Sequence, residues 1–470
     1  FTFFENENVR RITDYAIGSM DNFGYSVTYG DTGAYVGWWS EMPFLFGAEW
    51  YYRDGRSAWA LERKTALSGR QNLSEFAVIA EPVEPTDLIG TRGFPLDPLY
   101  HASMGGPNYV DLEHAIDKVV MRDSFDAQDQ YLLLDGLNNG GHKHYDGNSI
   151  SRMADNGRIW LADASYMNSL PKYHSTILAL RDGKSATLPP FCELEHLRDT
   201  ESVGYSETTL RDYAGVDWHR NIVWRKGEWF VVADELQAGV AGDYSFRVLW
   251  QTIGEVTLGD DGLDVEQAGQ HCAIRMTEDL RFTLHDDAVY GANWNSYEFI
   301  EEPVVRTLTG IWNGRLEAGQ QVTLFTLLHA SGEEVSPLHM TRLTPDAVAI
   351  SGGNEAPAIV AVGGTDGHIS LAGEMEASAH ALLVTPGVFA AFDISDLTYQ
   401  GMPADLGAAQ DVTMKLGEGD MTVYPQPGTN AVPDTNSYAD FLPEVAAVGD
   451  KMVRDLIMAA FRYSALIPPE

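Results

Sequence analysis

Asn221-Ile222-Val223-Trp224-Arg225, then Lys226-Gly227-Glu228, then Trp229-Phe230-Val231-Val232-Ala233-Asp234-Glu235-Leu236: this stretch decides the architecture. β-Branched and aromatic residues fill both arms, and a polar triplet centred on glycine separates them, so it reads as a β-hairpin. Outward from it the same pattern recurs. Strand-sized apolar runs lie at 159–163, 176–180, 246–252, 322–328, 358–362, 379–384 and 421–424, with turn residues between them. From about Ala115 onward the chain is therefore expected to build antiparallel sheets, as a sandwich or as stacked sheets.

Upstream the periodicity changes. Asn8 can cap a helix over 9–20 whose apolar stripe is Val9, Ile12, Ala16 and Ile17. Further helices are predicted over 38–52 and 57–67, and the Pro- and Gly-rich stretch 81–107 reads as a surface connection. After Pro425 a Pro/Asn/Thr linker precedes an amphipathic helix over 438–463, which would pack on the body or on a second copy as a homo-oligomer contact. The expected division is 1–114 helical, 115–300 a first β domain, 301–428 a second β unit, and 429–470 linker and terminal helix. Helices, then sheets, then one helix make an α+β layout with segregated elements.

A chain of 470 residues exceeds one ordinary domain. With 44% apolar and 21% charged residues, its composition is that of a globular protein. The formal net charge of −37 repels nucleic-acid phosphates and anionic lipid, which excludes both as partners. No run of eighteen apolar residues occurs, so no helical membrane span is expected. The same charge opposes an acidic polymer at long range unless salt screens it, which suits a saline habitat with local basic residues recognising the anion. Cys192 and Cys272 form no CxxC motif; one disulfide and two free thiols both fit. The sequence opens at Phe1 rather than Met, as a processed or trimmed chain would, and further sequence upstream is expected.

The chemistry concentrates in Asn138-Asn139-Gly140-Gly141-His142-Lys143-His144-Tyr145-Asp146-Gly147. In extended backbone an i, i+2 pair of histidines faces one side, so both meet one metal, or one binds metal while the other faces a substrate. Downstream, the run 158–163 ends in Asp163, and Lys172-Tyr173-His174-Ser175-Thr176-Ile177 supplies a third imidazole at the entry to another strand. His and Asp on neighbouring strands suit Zn²⁺, with a position left for water or substrate. Taken one at a time, each His more often fills a hydrogen-bonded structural role than a ligand's.

His142-Lys143-His144-Tyr145-Asp146, the Asn-Gly-Arg turn at 156–158, the run 159–163 and Tyr173-His174-Ser175-Thr176-Ile177 resemble the heparinase II/III-like region of polysaccharide lyases. The segment 220–234 resembles that family's Arg-x-hydrophobic, Gly-x-hydrophobic-Asp hairpin, and 18–33 the end of its helical toroid; the likeness spans roughly residues 8–250. Ser175 stands where the family more often has Asn. The resemblance implies the C-terminal part of an (α/α) toroid followed by a large antiparallel β region. It implies that His142 faces the uronate as a catalytic residue, that His144, Asp163 and His174 hold one structural zinc per chain, and that Asn139, Lys143 and Arg152 contact substrate. The family's catalytic Tyr and its Asn partner lie in the toroid; Tyr15, Tyr25 and Tyr29 sit at the wrong place in the pattern. Those groups are expected on upstream sequence or another chain.

The function so implied is β-elimination in a uronate-containing polysaccharide, alginate- or glycosaminoglycan-like, by a secreted or periplasmic bacterial lyase. Two other classes fit the same residues: a non-catalytic glycan-binding subunit, and a hydrolase using zinc-bound water.

Overall fold

The hairpin forms with Trp229 opposite Arg225 and Asp234 opposite Arg220, closed by a three-residue loop in which Gly227 takes a left-handed φ of 73°. In this computed structural model the described residues are 5, 7–30, 42–68, 80–104, 110–138, 144–163, 168–277, 280–291, 294, 297–332, 337–353, 357–371, 375–399, 401–415 and 420–424. The predicted terminal helix over 438–463 lies outside them.

Strand Trp229–Ala238 pairs with Val216–Arg225 on one side and Gln321–Gly332 on the other, at the centre of a 17-stranded antiparallel network. That network curls over an interior filled by Trp160, Trp218, Trp224, Phe230, Phe246 and Trp250. Period-2 alternation explains why the hairpin is apolar almost throughout. Phe230, Val232 and Leu236 face this interior, while Trp229, Val231 and Ala233 face a second sheet.

The second sheet has nine strands, from Leu338–Thr344 to Asp420–Tyr424. Strands Val305–Leu316 and Gln321–Gly332 belong to the large network, so the sheets part between Gly332 and Leu338, beyond the composition shift near residue 301. Both cysteines are free and buried, and burial pushes each thiol well above its ordinary pKa.

The α+β expectation, with the end of a helical toroid, is corrected by this structure. The chain is mostly β, and among the described residues there is no toroid. Helices do form at Glu7–Gly18, Met42–Tyr52 and Gly55–Ser68, close to the sequence expectation. They pack as one small cluster, through Ile17, Leu45 and Leu61, against Phe125 of a β loop instead of joining a ring of paired helices. The supposed surface connection at 81–107 also contains strand Gly90–Pro95, which pairs with Ala115–Arg122. No described helix is long and apolar enough to cross a membrane.

Two polar devices lie inside this framework. In the hairpin, Arg220 Nε and Nη2 donate to the two oxygens of Asp234 at 2.7 and 3.0 Å, and both side chains are fully buried. Trp218 Nε1 donates to the same carboxylate at 2.7 Å. Arg220 Nη1 continues to the carbonyls of Asn148, at 2.6 Å, and Ser175, at 3.3 Å. A buried guanidinium needs this degree of satisfaction, since an unpaired charge there is costly.

The second device joins the two sheets. His380 Nδ1 meets Glu207 at 2.6 Å and its Nε2 meets Asp393 at 3.1 Å, while His196 and Arg198 bind Asp411. Tyr205 stacks on Phe392 beside them, with centroids 4.4 Å apart. Hydrogen bonds to Asp393 and Glu207 outweigh burial and raise His380 to about 10. Burial opposes ionisation of Glu207, but hydrogen bonds from His219 and His380 bring its carboxyl down to about 2.

Replacing Arg220 by Leu strands the Asp234 charge in the interior and should cost about 3–5 kcal/mol in urea unfolding. The double variant Arg220→Leu/Asp234→Leu should regain part of that loss, because Trp218 Nε1 still lacks its acceptor. For the inter-sheet clasp, His380→Ala should cost about 1 kcal/mol, a modest figure because the ring is 37% exposed. The sign follows from the raised pKa. The His380 contribution is complete below the unfolded value of 6.5 and disappears as pH rises through about 10. The stability gap between wild type and His380→Ala should therefore narrow between pH 6.5 and 10; a gap constant over that range would refute the assignment.

Candidate functional site

Strand pairing gathers the site. Ser149–Asp155 turns back into Arg158–Ala162 through Asn156-Gly157, both left-handed, and Arg152 pairs with Ala162. Asp163 thereby lands beside the start of its own hairpin, with its N–H donating to Ser151 O at 3.2 Å. The 3₁₀ turn Pro171–Tyr173 delivers His174 to the same place, and Ile150 N donates to Ser175 O at 3.0 Å. His144 and Asp146 enter from the preceding loop. Asn138 Oδ1 accepts from Gly147 N at 2.6 Å, so close that a Cβ on Gly147 would collide with the Asn138 amide.

The result is a buried cluster. Asp146, Asp163 and His174 each offer a ligand atom, all within 4.8 Å of one another. His174 Nδ1 is 2.8 Å from Asp163 Oδ2, an arrangement that fixes the ring and turns Nε2 inward. The His144 ring stands 6.3 Å from that of His174, tilted by 60°. His144 Nδ1 and His174 Nε2 are both buried and have no hydrogen-bond partner among the described residues. Two unanswered imidazole nitrogens beside two carboxylates fit a zinc-type ion, whose bonds to nitrogen and oxygen are about 2.0–2.2 Å.

The electrostatics agree with that fit. Burial pushes the His174 ring down, but Asp163, through its charge and hydrogen bond, and the charges of Asp146 and Asp135 outweigh it and raise the ring to about 9. Asp135 is itself raised, by burial first and by Asp146 and Asp117 in addition, against the opposing pull of Lys118. Lys118 Nζ lies 3.0 Å from Asp135 and 4.2 Å from the centre of the Tyr29 ring, and Gly30 N donates to Asp146 Oδ2 at 2.5 Å. Several carboxylates thus share a dry region in which a divalent cation would supply the missing positive charge.

Of the residues singled out from sequence, Asp163 and His174 share one group with Asp146, while His144 stands beside His174 outside that group. Asn139, His142 and Lys143 lie outside the described residues. Arg152 does not face a substrate: it is wholly buried, bound to Asp21 at 2.6 Å, with its guanidinium 5.4 Å from the Trp294 ring. Asp21 in turn accepts from Phe23 N and Tyr25 N, so Arg152 anchors the 21–30 segment on the sheet. Asp146 was overlooked as a ligand, although the alternation that pairs His142 with His144 continues to it. Arg220 and Asp234 were visible as a motif but not as the pair that braces both site loops.

No protein-family model matches this sequence, and no curated protein matches it. Solved structures do. A mutant of the heparan sulfate lyase HepC from Pedobacter heparinus superposes with a TM-score of 0.51 at 12% identity, covering 74% of this chain and 51% of that one. Heparinase III superposes with the same TM-score at 9% identity, covering 74% of this chain and 53% of that one. This chain therefore spans about half the length of those enzymes, and what it shares with them is a heparinase-like fold.

Proposed function

We propose that this chain is the β region of a polysaccharide lyase of the heparinase II/III-like type, acting on a uronate-containing glycan by β-elimination. The observation that carries the reading is the convergence of Asp146, Asp163 and His174, with the His144 ring beside them and two unanswered buried nitrogens, in a heparinase-like fold. His144, Asp163 and His174, with Asp146 beside them, would hold one zinc per chain. When bound, the ion supplies structural charge that neutralises the carboxylates and fixes the loop carrying His142.

Elimination removes the C5 proton of the uronate, breaks the C4–O bond, forms a C4–C5 double bond, and delivers a proton to the departing glycosidic oxygen. His142, two residues before His144, is assigned to the substrate side, where it offsets the uronate carboxylate or carries one of those protons. Its orientation depends on His144 being held, since loops of this kind must be placed to about 0.5 Å. Asn139 and Lys143 flank it as groups for the substrate's hydroxyls and carboxylate.

Purified protein never exposed to chelator should contain close to one zinc per chain by elemental analysis. His174→Ala should lose it and His142→Ala should keep it. With heparan sulfate, and then alginate, as substrate, the products should show the ultraviolet absorbance of a conjugated uronate double bond. His142→Ala should slow their appearance by about 10²–10⁴-fold. Products without unsaturation would favour a hydrolase; binding without products, unchanged in His142→Ala, would favour a glycan-binding subunit.

A further inference from the structure

Immediately before His174 the chain borders a groove of about 330 Å³ on the outer face of the large sheet. Its floor follows from strand register. His285 stands opposite Thr307, and Thr307 opposite Gln251, so three polar side chains form a row across Arg281–Asp287, Val305–Leu316 and Gly242–Ile253. Lys172, Tyr173 and Arg247 line it too, together with Asp287, Thr309 and the apolar Leu178, Leu249 and Val305. A sheet face built only for packing would carry apolar residues in that row.

Gln251 is the telling residue. It is 1% exposed, and its side-chain oxygen has no hydrogen-bond partner among the described residues; Nε2 reaches Lys172 O at 3.5 Å. A buried amide acceptor left unanswered is costly, and a ligand hydroxyl would satisfy it. At the rim, Lys172 and Arg247 are both exposed, and the Lys172 ammonium lies 4.7 Å from the centre of the Tyr173 ring. Two cations, Lys172 and Arg247, against the single carboxylate of Asp287 in the lining make this groove a positive place on a chain of net charge −37. Its floor strand is also bonded to the segment that carries His174. Gln251 N donates to Ser175 Oγ at 3.0 Å, next to His174, and Leu249 N donates to Thr176 O at 2.9 Å.

We propose that this groove is a subsite for one acidic sugar residue. Arg247 and Lys172 take its carboxylate or sulfate, Gln251 Oε1 accepts a ring hydroxyl, and Tyr173 offers an apolar edge. The volume lies at the lower end of the range for small-molecule sites, suited to one or two sugar rings. The inference rests on the lyase reading for the class of polymer, and deepens it by naming where a charged sugar sits.

The test is calorimetric titration of the full chain with three hexasaccharides: unsulfated heparosan, sulfated heparin and neutral cellohexaose. The acidic probes should bind and cellohexaose should not; the heparosan-to-heparin ratio tells carboxylate from sulfate recognition. The double variant Lys172→Ala/Arg247→Ala changes two exposed side chains, and circular dichroism checks that it folds. It should weaken acidic binding by about tenfold or more. Equal affinity in wild type and double variant, equal binding of cellohexaose, or no binding of any probe would overturn the subsite. Cleavage is scored separately by ultraviolet absorbance. Acidic binding that depends on Arg247 without unsaturated products would keep the subsite and sink the lyase reading. Unsaturated products formed with an unchanged KM in the double variant would do the reverse.

Discussion

The buried ion pair between Arg220 and Asp234 sets the geometry on which the site depends. Its two parallel hydrogen bonds span one cross-strand position of the central hairpin, where a register slip of one residue would put the two charges on opposite faces. The pair does more than hold register, because Arg220 has donors left over. Nη1 reaches the carbonyls of Asn148 and Ser175, one in the segment that follows His144 and Asp146, the other directly after His174. One guanidinium therefore ties the two site segments to the central hairpin. A Lys could not do this, since a point charge has no planar fork to divide between a carboxylate and two carbonyls.

Around that brace the protein concentrates charge where sheets usually bury hydrocarbon. Asp146 lies close enough to act on both His174 and Asp135, and Lys118 stands against Asp135. Repulsion among buried carboxylates favours either protonation or a bound cation. The orphaned nitrogens of His144 and His174 favour the cation, because protonating carboxylates would leave those nitrogens as they are. With such a cation bound, structural stability and site chemistry would be coupled through one set of groups.

Much of this was legible in the sequence, for identifiable reasons. The hairpin, the three short helices and the strand runs follow from periodicity and turn chemistry, which are local. The meeting of Asp163 and His174 was legible because each stands at the end of a recognisable strand or turn; Asp146, which completes their group, was not. What escaped was non-local. The likeness of 18–33 to the end of a toroid implied a ring of helices, yet the helices here close on Phe125 and on each other, a partnership that no local likeness encodes. Arg152 looked like a surface cation until Asp21, far away in sequence, proved to neutralise it. The row of His285, Thr307 and Gln251 exists only through the register of three strands, and no single strand advertises it.

The acidity of the whole chain then takes on a different meaning from the acidity of its grooves. At an ionic strength of about 0.15 M charges more than about 8 Å apart are largely screened, so the net charge of −37 acts mainly on the approach of a polyanion. Once in contact, a carboxylate or sulfate at Arg247 and Lys172 experiences those cations far more strongly than the distant surface. Recognition of an acidic sugar would therefore be short-ranged, with association slowed by the global field and retention decided by a few groups. Moderate salt should speed association by screening the repulsion and weaken the final contacts less, since those lie inside the screening length. An acidic surface and an acidic ligand are compatible on that condition, provided that the positive charges stay clustered, as they are beside His174.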